Sequence, residues 1–213
     1  MTCPLCLNHQ TLHFHTDQKR DYLQCQVCDL VFVPKHQLLS AAEEQSQYDL
    51  HQNSPDDEGY RQFLNRLLLP LVEYLPLSAK GLDFGCGPGP AVSVIMAEQG
   101  YEVANYDPFY ANQPELLTKQ YDFITSTEVF EHLHQPSEVI PLLVNMLKPK
   151  GILGIMTKRW IDKDAFTRWH YKNDPTHVCF YSDQTFQWIA DQWDLGLKII
   201  SADTVLLFKS NGT

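Results

Sequence analysis

The sequence contains no run of apolar residues long enough to cross a bilayer, which excludes a helical membrane span. It also lacks any block of Lys and Arg. Sixteen basic residues face 26 acidic ones, for a net charge of −10. Nucleic-acid-binding domains concentrate basic side chains on one face. Here Lys19, Arg20 and Lys35 lie near the N-terminus and the rest are scattered, so the charge balance counts against a DNA or RNA partner. Met1-Thr2-Cys3 opens the chain with no basic-then-apolar leader, so the expectation is a cytoplasmic protein. Internal repeats and low-complexity segments are absent, and nothing specifies an oligomeric state. Cysteine is scarce as well, with six in 213 residues, but four of the six are paired.

Those pairs, Cys3-Pro4-Leu5-Cys6 and Cys25-Gln26-Val27-Cys28, are separated by eighteen residues. The pattern C-x2-C-x18-C-x2-C is the spacing of a zinc ribbon. Each pair forms a knuckle that aims two thiolates at one point, at a Zn–S distance of about 2.3 Å. Four sulfur ligands leave no open coordination position, so such a metal is structural. Two disulfides or four free thiols are the alternatives, and His9, His13 or His15 could replace a cysteine. Reduced cysteines in this number fit a reducing compartment. The expected organisation is a ribbon over 1–35, a linker and capping helix over 36–75, and a Rossmann-like domain over 76–213.

Residues 29–33 read as a strand leaving the second knuckle, ended by Pro34. The 36–53 stretch reads as a linker with one short helix. Ser54 is the expected N-cap of an amphipathic helix, with Pro55 at its first position and acids filling its first turn. Tyr60, Phe63, Leu64, Leu67 and Leu68 recur at helical spacing, and Pro70 is expected to interrupt or end that helix. Beyond it, strands and helices alternate. Strands are expected over 81–84, 101–106, 121–126 and 152–157, with helices over 90–99, 136–147 and 183–193. An antiparallel hairpin over 197–209 closes the chain. The alternation implies an α/β fold with a mostly parallel sheet.

The strongest chemical motif is Asp83-Phe84-Gly85-Cys86-Gly87-Pro88-Gly89, between a strand and a helix. Glycines let backbone approach a ligand closely, and a helix N-terminus offers free N–H groups. Pro90 breaks the G-x-G-x-x-G pattern, which weakens a nicotinamide reading. Asp107 closes the next strand, 24 residues after Asp83, where an acid can hold ribose hydroxyls. A single glycine turn carries little information, but strand, loop, helix, strand and acid in this order point to a nucleoside ligand.

At these residues the chain resembles the class I S-adenosylmethionine-dependent methyltransferases, over roughly 55–209. Thr127-Glu128-Val129-Phe130-Glu131-His132-Leu133 is similar to the segment after the fourth strand in their small-molecule branch, and Lys148-Pro149-Lys150-Gly151 to the turn into the fifth. The resemblance implies S-adenosylmethionine as cofactor. It also implies a site built from Asp83, Gly85, Cys86, Gly87 and Gly89 of the loop, Asp107 and Pro108 after the second strand, and Thr127 after the fourth. One departure is visible: only thirteen residues, 108–120, separate Asp107 from the next strand, so the family's third strand should be short or missing.

Three groups could serve a small-molecule acceptor. Glu128, Glu131 and His132 resemble the acid-acid-His set that binds a divalent ion in quinol O-methyltransferases, although Glu131 and His132 could equally orient the loop. His177 could be a general base, its ordinary pKa lying near working pH, or a hydrogen-bonded structural histidine. Trp160, Phe166, Trp169, His170 and Tyr171 could wall the acceptor or simply pack over the sheet edge. Arg61, on the capping helix, could pair with the methionine carboxylate or stay solvated. The expected function is methyl transfer to a small molecule, with His177, His132 and Glu128 as catalytic candidates and zinc at Cys3, Cys6, Cys25 and Cys28. An RNA methyltransferase gripping its substrate through the ribbon, or a noncatalytic cofactor-binding scaffold, are the rivals.

Overall fold

The computed structural model describes residues 1–50 and 54–211; the last residues of the expected linker, 51–53, lie outside it. The chain runs β1 (Thr11–Thr16), β2 (Asp21–Cys25), β3 (Val31–Phe32), α1 (Ala41–Tyr48), α2 (Glu58–Val72), β4 (Lys80–Phe84), α3 (Ala91–Glu98), β5 (Glu102–Tyr106) and β6 (Tyr121–Thr127). It continues with α4 (Pro136–Met146), β7 (Leu147–Met156), α5 (Lys163–Thr167), β8 (Cys179–Phe180), α6 (Asp183–Gln192), β9 (Leu195–Ile199) and β10 (Thr204–Lys209). No helix among the described residues is long and apolar enough to cross a membrane.

The main sheet has the order β5-β4-β6-β7-β10-β9. Its first four strands are parallel, and β10 and β9 add antiparallel at the far edge. The strand that would follow β5 is missing among the described residues. In its place the chain makes an Asp107–Ala111 bridge and a 3-10 turn over Pro114–Thr118. Thirteen residues cannot supply a helix, a strand and two turns, so β5 becomes the edge.

Neighbouring residues point to opposite faces of a strand. Phe123, Ile152 and Leu206 therefore face one layer, where α2 and α3 bury Leu64, Leu67, Leu68, Val92, Ile95 and Met96. Ile124, Leu153 and Leu207 face the other, against Ile140 and Leu143 of α4 and Phe186 and Ile189 of α6. Burying each such side chain stabilises by about 1.5–3 kcal/mol relative to exposure.

Two expectations about α2 need correction. Its N-cap is Asp57, whose Oδ1 accepts the Tyr60 N–H at 2.8 Å, rather than Ser54. The Ser-Pro-Asp-Asp run offers several caps, and in the helix that follows Leu64, Leu67, Leu68 and Leu71 are buried. Pro70 does not end the helix, which runs to Val72. Elsewhere β7 begins at Leu147, five residues before its expected start, and β9 begins at Leu195.

The N-terminal sheet, β1-β2-β3-β8, does not stop at residue 35. β3 pairs antiparallel with β8, Val31 opposite Phe180 and Phe32 opposite Cys179. Phe14 and Tyr22 meet Phe166 edge to face, each with centroids 5.2 Å apart. Ser182, the N-cap of α6, donates to Asp29 Oδ2 at 2.5 Å. The cysteine-bearing segment and the stretch after β7 therefore share one sheet and one core.

Candidate active site

The glycine loop leaves β4 at the carboxyl ends of the parallel strands, where open α/β sheets bind ligands. Gly85 and Gly87 have φ of +81° and +62°, a region that glycine enters without strain. At Gly85 space is also decisive, since an added Cβ would lie 2.4 Å from Val129 Cγ2. Asp107 organises the loop from β5. Its Oδ2 accepts the Gly87 N–H at 3.0 Å, and its Oδ1 accepts those of Phe109 and Tyr110 at 2.8 and 3.1 Å. Asp83 is buried beneath the loop and accepts the Thr125 hydroxyl at 2.9 Å. Burial pushes its pKa up to about 7.

A cavity of about 800 Å³ opens above this loop. Glu128, His132, Asp174 and His177 also line it. Glu128 follows β6 with φ +53°, a left-handed conformation that is costly for a side-chain-bearing residue and marks a turn enforced by its surroundings. Glu131 is fully buried, and Tyr171 donates its hydroxyl to Glu131 Oε1 at 2.5 Å. Burial and the neighbouring Glu131 push Glu128 up to about 8, and burial pushes Glu131 up to about 7.

The two histidines are held by backbone. His132 Nδ1 lies 3.1 Å from Thr176 O, and His177 Nδ1 lies 2.7 Å from Tyr171 O. A carbonyl can only accept, so each Nδ1 carries the proton. His177 Nε2 lies 3.8 Å from Asp174 Oδ2. Burial, followed by the adjacent His132, pushes the His177 pKa down to about 4, so its imidazole is neutral at neutral pH. Ligand atoms of Glu131, His132 and His177 lie within 4.8 Å of one another.

The four paired cysteines converge away from this cavity. Cys3 and Cys28 sulfurs are 3.5 Å apart, those of Cys6 and Cys25 are 3.4 Å apart, and all four lie within 4.8 Å of one another. None is in a disulfide. A tetrahedral shell with Zn–S of about 2.3 Å has sulfurs roughly 3.8 Å apart, so the four thiols fit such an ion.

The fold brings Asp83, Gly85, Cys86, Gly87, Asp107, Pro108, Thr127, Glu128, His132 and His177 to one cavity. Gly89 sits at the loop's exit, outside the lining. Arg61 pairs with Glu98 and donates to Pro55 O at 3.1 Å, and it is not among the residues that line the cavity. Its α2 neighbours Tyr60 and Phe63 line the cavity instead. Of the aromatic group, Tyr171 reaches Glu131, whereas Phe166 and Trp169 pack into the core with Phe180. Glu44 and Tyr48 of α1 also line the cavity and were not singled out by sequence. Tyr48 meets His132 edge to face at 5.3 Å, and Glu44 Oε1 lies 2.6 Å from His134 Nε2. The only local signal was the Ser40 capping box that starts α1.

Comparison with known proteins gives a consistent result. A methyltransferase-domain family model matches residues 56–202. A ubiquinone biosynthesis O-methyltransferase from Histophilus somni is 26% identical over 136 residues, covering 48% of this chain and 57% of that protein. One from Pseudomonas savastanoi pv. phaseolicola is 32% identical over 71 residues, covering 33% of this chain and 31% of that protein. The chain thus spans 31% to 57% of the length of these curated relatives. Among solved structures, the magnesium protoporphyrin IX methyltransferase of Synechocystis PCC 6803 with bound SAH superposes with a TM-score of 0.53 at 15% identity, covering 80% of this chain and 95% of that one. An O-methyltransferase family protein from Burkholderia thailandensis gives 0.52 at 15% identity, covering 80% and 64%. These two likenesses concern the fold. With the family model spanning most of its length, the chain belongs to the methyltransferase-domain family.

Proposed function

We propose that this enzyme transfers the methyl group to a hydroxyl of a small aromatic acceptor, a phenol or quinol. The observation that carries the reading is one cavity of about 800 Å³ lined both by the glycine loop and by Glu128, His132 and His177. Ligand cavities run about 300–1,000 Å³, enough here for a nucleoside cofactor beside one small ring. The names of the curated relatives support an aromatic oxygen acceptor.

S-Adenosylmethionine supplies a methyl already activated by its sulfonium charge. The protein's part is alignment and proton removal. Backbone around Gly85 and Gly87 and the Asp107 carboxylate hold the nucleoside end. Tyr48, Phe109 and Leu133 give the acceptor ring an apolar wall. Transfer of that methyl to the acceptor oxygen would leave the hydroxyl proton to be removed. The hydroxyl proton passes to Nε2 of neutral His177. Asp174 lies beside that nitrogen and stabilises the imidazolium. It stays ionised despite partial burial, because the Thr176 hydroxyl and amide donate to it at 2.5 and 2.9 Å.

A second reading is favoured by the grouping of Glu131, His132 and His177 and by the unpartnered buried Oε2 of Glu131. A divalent cation held there would lower the acceptor's own pKa. At the four cysteines we infer one structural zinc ion. The negative net charge and scattered basic residues weigh against RNA as the acceptor.

The test is a panel of catechols, phenols and quinols incubated with methyl-labelled S-adenosylmethionine, with products read by mass for the gain of one methylene. Label in at least one aromatic ether supports the reading, and metal dependence of that label separates the two versions. Methylation confined to amines, thiols or RNA overturns it.

A further inference from the structure

The turn between β1 and β2 carries Arg20, which is nine-tenths buried. Its guanidinium donates to four backbone carbonyls of one short stretch. Nη1 reaches Pro175 O at 2.9 Å and His177 O at 3.0 Å, and Nη2 reaches Lys172 O at 2.6 Å and Asp174 O at 3.0 Å. That stretch carries His177 and Asp174 into the cavity.

The turn itself is braced. Asp17 Oδ1 accepts the backbone N–H groups of Lys19 and Arg20 at 2.8 and 2.9 Å. Asp17 Oδ2 accepts the Tyr22 hydroxyl at 2.9 Å and lies 3.3 Å from Lys172 Nζ. On its other side the stretch is tied to the segment after β6: the Val178 N–H donates to Glu131 O at 2.7 Å, and Thr176 O meets His132 Nδ1. Residues 172–178 are thus stretched between a clamp on the cysteine-bearing hairpin and the carboxylate-histidine end of the cavity.

Four carbonyl dipoles converging on one buried point repel one another unless a cation with several fixed donors sits among them. A guanidinium presents five donors in a rigid plane. An ammonium presents three and no plane, so Lys cannot hold all four oxygens. Nothing in the chemistry of a metal ribbon requires this arginine. Its bonds go to the loop that aims His177.

We propose that Arg20 is a positioning residue for methyl transfer, setting His177 and Asp174 relative to the acceptor. The inference rests on the reading of the His177 end as the acceptor side. It extends that reading by giving the cysteine-bearing hairpin a part in catalysis, since it delivers the guanidinium.

The experiment compares wild type, Arg20→Lys and Arg20→Ala, using S-adenosylhomocysteine for binding and catechol as acceptor. Affinity for S-adenosylhomocysteine should be unchanged, because the glycine loop touches none of these bonds. Turnover of catechol should fall by about 10²-fold in Arg20→Ala, the order expected for a misplacement near 1 Å. Arg20→Lys should recover part of it. The imidazole NMR signals of His177, assigned by their loss in His177→Gln, should shift in both variants, whereas a purely stabilising residue would leave them in place in folded protein. Full turnover with an unmoved His177 signal in folded Arg20→Ala overturns the proposal. If Arg20→Ala does not fold, an unmoved signal and full turnover in Arg20→Lys overturn it. If wild type binds S-adenosylhomocysteine but methylates none of a panel of catechols, phenols and quinols, the acceptor reading fails separately. The His177 signal then decides alone, with a shift supporting the clamp and no shift refuting it.

Discussion

The rings of His132 and His177 meet edge to face with centroids 4.7 Å apart, one from the turn after β6 and the other from the stretch before β8. Forty-five positions separate them in sequence. Both are aimed by hydrogen bonds to backbone oxygens, and both line the cavity that holds the glycine loop. Burial, and after it their proximity, lowers the His177 pKa and keeps it uncharged, the state a proton acceptor requires.

His177→Ala or His132→Ala should therefore lower turnover by about 10²- to 10⁴-fold, the usual contribution of a general base. Affinity for S-adenosylhomocysteine, measured by calorimetry, should be unchanged in both. Full turnover in both variants would leave the chemistry to alignment alone.

Much of the proposed cofactor half of the site is legible in sequence because it is local. Asp83 to Gly89 is one strand-to-helix turn, and Asp107 closes the very next strand. The missing strand is legible by counting, since thirteen residues cannot hold it. The acceptor half is not local. Arg20 meets carbonyls more than 150 positions away, and β3 finds β8 through strands of two residues each. No periodicity announces a two-residue strand. Tyr48 and Glu44 lie in a stretch whose composition reads as linker, and only tertiary packing puts them over the cavity. Arg61 lies on the expected helix, but its partner Glu98 comes from α3, a contact that sequence spacing does not announce.

Asp107→Ala should weaken S-adenosylmethionine binding by roughly 1.5–3 kcal/mol, the scale of a hydrogen bond to a charged group. The carboxylate also fixes the amides of Gly87, Phe109 and Tyr110, so the loop should loosen with it. Faster hydrogen exchange at residues 85–89 would accompany the lost affinity. Unchanged calorimetric affinity in the variant would remove Asp107 from the cofactor site.

Asp83 predicts a pH dependence of the unliganded protein. Burial raises its pKa from an ordinary 3.8 to about 7. The native state thus binds this proton more tightly than the unfolded chain does. The associated stability is complete below about 3.8 and is lost as pH rises through about 7. Asp83→Asn cannot ionise, so its melting temperature should fall less than that of wild type between pH 5 and pH 8. For a chain of this size each kcal/mol shifts the midpoint by roughly 2–4 °C. Parallel curves for the two proteins would show that Asp83 does not titrate in this window.

Metal removal should reach beyond the cysteines. Purified protein is expected to carry about one zinc ion per chain, as four converging thiolates imply. Cys25→Ser should release it. The knuckle that Cys25 and Cys28 form leads directly into Asp29, which accepts the Ser182 hydroxyl at the start of α6, and into β3, which pairs with β8. The same hairpin holds Arg20 against the 172–177 stretch. Hydrogen exchange should therefore rise over the first 35 residues and over 166–182 together, while β4, α3 and β5 stay protected. Turnover should fall, and affinity for S-adenosylhomocysteine should hold. Loosening confined to the first 35 residues with full turnover would make the metal a purely local brace. Disulfides within the pairs, or protein without metal on elemental analysis, would refute the zinc site itself.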